Sequence, residues 1–267
     1  MSETTDLESL AMLIARSDHV VMLTGLQIGA PAGNEEQSGR GEWADRASLE
    51  ALLTNPSDFW AYYYPQAIAV ASRVPGPAHD AIARLQAAGL VTSIITQAVD
   101  RLHRRSALDP AREIVEVHGT ITLIRCGRCG ERYGLPEAEA MIASDIDGVP
   151  RCSAPGCGFP LRPAGTLWGE PLIADAVTRA WDLAARADCF VVVDSELRTV
   201  PMSLLPSVPL TRGKPLAIIG DIHTQYDRYA QIIARGPSTS TLTGLADLLA
   251  PRQIRPSDAT GQPDHPG

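Results

Sequence analysis

Four short apolar runs, separated by long helical stretches, constrain the fold of this chain more than any other feature. The runs are rich in valine, isoleucine and leucine, which is typical of strands buried on both faces; they span residues 19–25, 90–95, 189–193 and 216–219. Helical patterns at residues 78–88 and 174–187 precede the second and third runs. This alternation predicts an α/β fold, a Rossmann-like parallel sheet with helices on both faces, which binds ligands at the carboxyl ends of its strands.

Two regions interrupt the alternation and predict a smaller second domain. Residues 1–40, 76–123 and 160–250 are expected to form the large domain, residues 41–75 a helical module and residues 124–159 a ribbon insert. The helical module contains the aromatic cluster Phe59 to Tyr64, which we expect in the core, with a substrate wall as the alternative. The proline- and glycine-rich residues 251–267 cannot bury enough apolar surface to order themselves, and we expect disorder there.

Four cysteines in two close pairs give the strongest local signal. Cys126 and Cys129 form one pair, and Cys152 and Cys157 form the other. Such pairs in a reducing compartment predict a tetrahedral zinc site with four thiolate ligands and no open position, so the zinc would be structural. The alternatives are four unrelated buried thiols or two disulfides. Cys189 lies alone in a predicted strand and is expected to be an inert core residue.

Charge and hydropathy exclude some classes of partner. The formal net charge is −8, and an acidic surface repels phosphate backbones, so we expect no nucleic-acid partner. No apolar run approaches the roughly 18 residues of a membrane span, so we expect no membrane partner. The first ten residues contain three acidic and no basic residues, which is unlike a secretory signal, and the expected location is cytoplasmic.

The first apolar run ends in a glycine-bearing loop, where a dinucleotide-binding loop would lie in such a sheet. On spacing alone, a plain strand-to-loop turn explains it equally well. Further motifs follow in a fixed order: Thr96-Gln97-Ala98-Val99-Asp100, Val117-His118-Gly119, the four cysteines, Arg162-Pro163, Trp168-Gly169-Glu170-Pro171, Asp194-Ser195 and residues 224–236. In this joint order, over about residues 18–249, the chain resembles the sirtuin family of NAD-dependent protein deacylases.

The resemblance implies that NAD and an acyl-lysine protein or peptide, or a small acylated molecule, enter a cleft between the two domains. In the family the acyl oxygen attacks the ribose carbon that carries nicotinamide, and a histidine acts as general base on a ribose hydroxyl. Carried over by position, the catalytic base is His118, and Asp100 would hold the nicotinamide carboxamide. The cofactor-binding residues would be Thr24, Gly25, Gly33, Gln97, Asp100 and Ser195, and the substrate-binding residues Trp168, Gly169 and Glu170.

Departures from the family motifs cluster on the side expected to face NAD. Gln27 stands at the second glycine of the first loop and so adds a side chain there. Ala98 stands where the second motif of the family has an asparagine. The family has an aromatic residue and an arginine where this chain has Gln37 and Ser38. Arg40, two positions further on, could take the place of the arginine only if the loop shifts, and this question stays open. Val193 and Asp194 stand at the first two positions of the family's G-T-S, and a carboxylate there would repel phosphates.

These departures leave three hypotheses. The first is a sirtuin-like NAD-dependent protein-lysine deacylase with weakened or altered NAD binding, motivated by the retained histidine, glutamine and aspartate. The second is a catalytically impaired pseudo-enzyme that keeps the cleft as a binding or regulatory module. The third is a different chemistry at the same cleft without NAD. Titration with NAD separates the first from the other two.

Overall fold

The structure is a computed structural model, and it describes residues 3–26, 28, 42–107 and 111–250. Its large sheet contains β1 (Val20–Thr24), β2 (Ser93–Thr96), β3 (Glu113–Glu116), β7 (Cys189–Val193), β8 (Leu216–Ile219) and β9 (Ile232–Ala234). In the described part of the chain the sheet is six-stranded and parallel, in the order β3-β2-β1-β7-β8-β9. The predicted parallel α/β fold is confirmed.

Helices cover both faces of this sheet because β1 and β7 are apolar on both sides. One face packs against α1 (Glu3–Ala15), α5 (Pro77–Ala87) and α10 (Ser238–Leu249), and the other against α8 (Ala174–Arg186) and α9 (Ser207–Thr211). The short helix α6 (Leu102–Ser106) follows β2 and contacts α5. None of the helices in the described ranges is long and apolar enough to cross a membrane.

The inserted segments form one smaller body around a shared core. The helices are α2 (Glu42–Arg46), α3 (Leu49–Thr54), α4 (Pro56–Ala71) and α7 (Leu135–Ser144). An antiparallel three-stranded sheet joins them, with β4 (Leu123–Cys126) between β5 (Arg132–Gly134) and β6 (Leu161–Pro163). Phe59, Trp60 and Tyr63 are fully buried against the small sheet, which confirms the expected core position for these three residues, whereas Tyr62 and Tyr64 are only partly buried.

Candidate functional site

A cavity of about 340 Å³ opens between the large sheet and the smaller body. It lies at the carboxyl ends of β1 and β7, where the strand order reverses direction, and this switch point is where open parallel sheets bind ligands. Its floor includes residues that follow three strands: Gly25, Gln97, Asp194 and Ser195. The cavity therefore collects most of the residues that the motifs singled out.

Gly25 is fixed by a close approach of two backbone segments. Its amide donates to the Val193 carbonyl at 2.9 Å, and a Cβ on Gly25 would stand 1.8 Å from the Asp194 carbonyl oxygen. No residue with a side chain fits there unless β1 and β7 separate, since real Cβ contacts are not so short. Gly25 thus forms a packed junction between the ends of β1 and β7.

Two of the predicted cofactor residues are joined directly. The Ser195 hydroxyl donates to Gln97 Oε1 at 2.6 Å, although the residues are 98 positions apart. Both line the cavity. The bond fixes the amide orientation of Gln97, so that its NH₂ group faces away from Ser195 and is free to donate to a ligand.

Two other predicted cofactor residues do not line this cavity. Thr24 is fully buried, and its hydroxyl bonds Thr96 and His103 inside the protein. Asp100 is also buried, and its Oδ1 accepts the Leu102 amide at 3.0 Å, which caps the start of α6. Their roles as direct cofactor ligands remain predictions; in the structure Thr24 holds the strand end next to Gly25, and Asp100 caps α6.

His118 lines the cavity at the turn after β3. Its carbonyl accepts the Thr166 amide at 2.8 Å, which ties the turn to the loop after β6. Its imidazole has no hydrogen bond within the described residues and is half-buried, and this burial lowers the pKa of His118 below its ordinary 6.5. The imidazole is therefore neutral at pH 7 and able to accept a proton.

The loop after β6 is held by a bidentate ion pair. Arg162 donates to both carboxylate oxygens of Glu170, and Glu170 Oε2 also accepts the Leu167 amide at 2.9 Å. Partial burial acts to raise the pKa of Glu170, but the hydrogen bonds from Arg162 and from the Leu167 amide, together with the positive charge of Arg162, outweigh it and lower the pKa below its ordinary value. The half-exposed Trp168 and Gly169 at the tip of this loop line the cavity. Glu170 thus shapes the loop, and its predicted contact with substrate stays a prediction.

Asp194 places a carboxylate at the cavity floor. Ser238 at the start of α10 donates its hydroxyl to Oδ2, and Oδ1 covers Gly220, where a Cβ would stand 2.2 Å from that oxygen. Burial raises the pKa of Asp194, and the nearby Asp221 carboxylate adds to the effect. Asp194 also has a left-handed φ of 47°, so the backbone favours a motif register shifted by one, with Asp194 rather than Val193 at the glycine position of G-T-S.

The wall opposite the sheet is mostly apolar. Only Tyr63, from the aromatic cluster for which a substrate wall was the alternative, was considered for it from the sequence. Five residues of the smaller body or its junction form it: Trp43, Ala47, Tyr63, Ile121 and Leu167. Tyr63 turns its hydroxyl away, to the Ile121 carbonyl at 3.1 Å, and presents its ring. These five residues come from separate helices and loops of the chain. No local sequence pattern could therefore show that they form one wall. Gly33, Gln27, Gln37, Ser38 and Arg40 lie outside the described residues, as do residues 251–267.

The four predicted zinc ligands converge. All four Sγ atoms lie within 4.8 Å of one another, and the closest pairs are Cys129–Cys152 at 3.5 Å and Cys126–Cys157 at 3.6 Å. A tetrahedron with Zn–S bonds of about 2.3 Å has S–S edges of about 3.8 Å. Disulfide bonds are absent from these cysteines. Donor chemistry and spacing therefore fit a closed structural zinc site.

Neighbouring groups complete the cysteine cluster. The amides of Arg128 and Cys129 point at Cys126 Sγ, and the Tyr133 hydroxyl lies 3.1 Å from Cys152 Sγ. Such donors stabilise thiolate charge around a metal. Cys189, in contrast, is fully buried in β7, and burial raises the pKa of its thiol to about 12, which is consistent with an inert core residue.

Comparisons with known proteins point to one family. The sequence profile of the Sir2 family matches residues 41–201. The NAD-dependent protein deacetylase 1 of Pyrobaculum aerophilum is 34% identical over 251 residues, covering 92% of this chain and 96% of that protein. The NAD-dependent protein deacylase of Thermococcus kodakarensis is 31% identical, covering 91% of this chain and 96% of that protein.

Solved structures agree in fold. A structure from work on sirtuin substrate affinity superposes with a TM-score of 0.80 at 25% identity, covering 92% of this chain and 99% of that chain. A Sir2–p53 peptide–NAD⁺ complex superposes with a TM-score of 0.77 at 26% identity, covering 91% and 98%. With these matches spanning nearly its whole length, and with the cavity and cysteine cluster in place, the chain belongs to the Sir2 family, the sirtuins.

Proposed function

We propose that the chain is an NAD-dependent protein-lysine deacylase with reduced affinity for NAD. The observation that carries the proposal is that one cavity brings together His118, the Gln97–Ser195 pair and the Trp168 loop. A neutral general base, a fixed amide and an apolar wall are the parts that the reaction needs from the protein. The names of the related deacetylases and deacylases support the same activity.

Among the described residues that line the cavity on the sheet side, Gly25, Gln97 and Ser195 fit NAD, and Asp194 does not. Gly25 is buried but lines the cavity at the switch point, and the NH₂ of Gln97, which has no partner among the described residues, suits a ribose or carboxamide oxygen. When bound, NAD supplies the ribose carbon that accepts the acyl oxygen and releases nicotinamide. His118 would hold the proton removed from a ribose hydroxyl, since its imidazole is neutral at pH 7.

The residues on the other side fit an acylated lysine. Trp43, Ala47 and Tyr63 offer aromatic and aliphatic surface to the uncharged stem and acyl group. Trp168 is 44% exposed at the mouth, where a peptide would arrive. The Arg162–Glu170 ion pair keeps this loop in place, and its two charges offset each other.

Asp194 is the point of misfit and the reason to expect weak NAD binding. A buried carboxylate near the glycine loop repels the phosphates of a dinucleotide, and partial burial weakens solvent screening of that repulsion. The carboxylate is held in place by Ser238 and cannot swing away at no cost. An NAD molecule would therefore favour the protonated form of Asp194.

The activity itself is tested by incubating the protein with an acetyl-lysine peptide and NAD. Mass spectrometry of the peptide and assay of released nicotinamide should show equal amounts of deacetylated peptide and nicotinamide. Peptide turnover without NAD would point to a different chemistry. Absence of both turnover and NAD binding would favour the non-catalytic binding module.

Replacing Asp194 with asparagine is expected to tighten NAD binding by about tenfold, or about 1.4 kcal/mol. Asparagine keeps the size of the side chain, tolerates a left-handed backbone and can still accept the Ser238 hydroxyl, while it removes the charge. Calorimetric titration with NAD at pH 7.5 measures the change.

A matched control and a pH series sharpen this experiment. Asp182→Asn on the exposed surface of α8 changes the net charge equally and should leave the affinity unaltered. Wild-type affinity should rise as the pH falls, because protonation of Asp194 removes the repulsion, whereas Asp194→Asn should show a flatter profile. Equal affinities and parallel pH profiles of wild type and Asp194→Asn would refute the reduced-affinity proposal.

A further inference from the structure

Two buried histidines with no assigned role lie beneath the glycine loop. His79 in α5 and His103 in α6 are 1% and 3% exposed, and their ring centroids are 5.0 Å apart. One nitrogen of each ring, His79 Nε2 and His103 Nδ1, is buried without a hydrogen-bond partner. A polar atom buried at such depth without a partner is destabilising, because it has lost its hydrogen bonds to water and gained none in return.

The hydrogen-bond partners of His79 fix its tautomer. The Gly76 amide lies 3.3 Å from His79 Nδ1, and an amide can only donate. Nδ1 is then the bare nitrogen of a neutral ring, and Nε2 carries the proton. His79 therefore has an orphan donor.

The hydrogen-bond partners of His103 indicate that its orphan nitrogen is an acceptor. His103 Nε2 lies 3.0 Å from the Thr24 hydroxyl, which in turn lies 2.9 Å from the Thr96 hydroxyl. If Thr24 donates to Thr96, then His103 Nε2–H donates to Thr24 and Nδ1 is an orphan acceptor. With the reverse polarity two orphan donors would face each other, an arrangement that satisfies neither.

We propose that His79 and His103 form a one-way hydrogen-bond relay, from the Gly76 amide through His79 Nε2–H to His103 Nδ1 and on to Thr24 and Thr96. The orphan donor and acceptor meet directly after a small ring rotation or through one trapped water. Burial lowers the pKa of His79, and burial with the neighbouring His79 lowers the pKa of His103 to about 3. Both rings are then neutral at pH 7, although Asp80 and Asp100 lie near His79.

The relay ends at two threonines that directly precede residues of the cavity floor. Thr24 immediately precedes Gly25, and Thr96 immediately precedes Gln97. Thr96 Oγ1 also accepts the Ala98 amide at 3.1 Å, which orients the backbone beyond Gln97. His103 is thus a positioning residue for the glycine loop and for Gln97, and this consequence for NAD rests on the proposed function.

Side-chain nitrogen NMR of the histidines at pH 7 tests the relay without any ligand. The expected result is a proton on Nε2 and none on Nδ1 in both rings. A proton on His103 Nδ1, or an imidazolium at either position, would overturn the relay. In His103→Leu the His79 Nε2–H should lose its acceptor and its signal should shift.

The positioning role is tested by comparing His103→Leu with His103→Gln, whose amide can still donate to Thr24. The Gly25 amide resonance should shift in the leucine variant and return towards wild type in the glutamine variant. KM for NAD should rise about tenfold in His103→Leu, with a smaller change in kcat and with recovery in His103→Gln. If the two variants have the same KM for NAD and the same Gly25 shift, the histidines act only by packing in the core, and the positioning role is wrong. If wild type binds no NAD, the proposed function fails, and the tautomers and the Gly25 shift still decide the relay.

Discussion

Alanine at position 118 is expected to lower NAD-dependent deacylation by about 10²–10⁴-fold while NAD affinity changes less than about threefold. His118 has no hydrogen bond to another side chain within the described residues, so its loss leaves no buried partner unsatisfied. The imidazole acts on a proton that moves during the reaction, whereas NAD affinity comes from contacts elsewhere in the cleft. The loss should therefore appear in kcat.

The pH profile gives a second test of the same base. Burial holds the pKa of His118 below 6.5 in the folded protein. The neutral, active imidazole then predominates at pH 7 and above, and kcat falls as the pH drops through that lowered pKa. At saturating NAD, where the affinity effect of Asp194 no longer enters, a kcat that rises towards acid would contradict the role of His118 as the base.

The measurements are initial rates on an acetyl-lysine peptide and calorimetric NAD titration. His19→Ala serves as the matched control, because His19 is exposed and directly precedes β1, at the amino-terminal end of the strands and opposite to the cleft. The control should keep wild-type rates. Full activity of His118→Ala would remove His118 from the mechanism.

The parts of the fold that the sequence predicted are those buried on both faces. β1, β7 and β8 are continuous apolar runs, so their pattern was clear. The unpredicted strands β3 and β9 are the two edges of the sheet; β3 begins and ends with a glutamate and β9 has three residues. Edge strands carry charges and stay short, which hides them from a search for apolar runs.

The motifs in the sequence identified many residues of the site, but they did not show in which direction each side chain points. The sequence places Thr24 at the loop, but successive strand residues point to opposite faces, and the structure turns its hydroxyl into the core. The carboxylate of Glu170 likewise bonds Arg162 eight residues away. The apolar wall with Trp43 and Ile121 depends on contacts between distant segments that no local period encodes.

Loss of the zinc site should be the largest change in stability. Cys129→Ser is expected to remove the single zinc ion and lower Tm by about 5 °C or more, since a 2 kcal/mol loss shifts Tm by roughly 4–8 °C at this size. Cys129 is exposed, so exchange of its sulfur for oxygen costs little apart from the metal. Cys126 and Cys152 are in the small core, and metal loss leaves two thiolate positions there uncompensated.

Elemental analysis of protein purified without chelator should find one zinc per chain in wild type and less in Cys129→Ser. Cys189→Ser is the matched control, because it buries a hydroxyl in β7 and lowers stability without touching the metal. It should keep its full zinc content. Zinc loss should also impair deacylation, because β6 leads from the cysteine cluster directly into the Arg162–Glu170 loop and Trp168 at the cavity mouth. Wild-type protein with no metal, or Cys129→Ser with full zinc and unchanged Tm, would disprove the metal site.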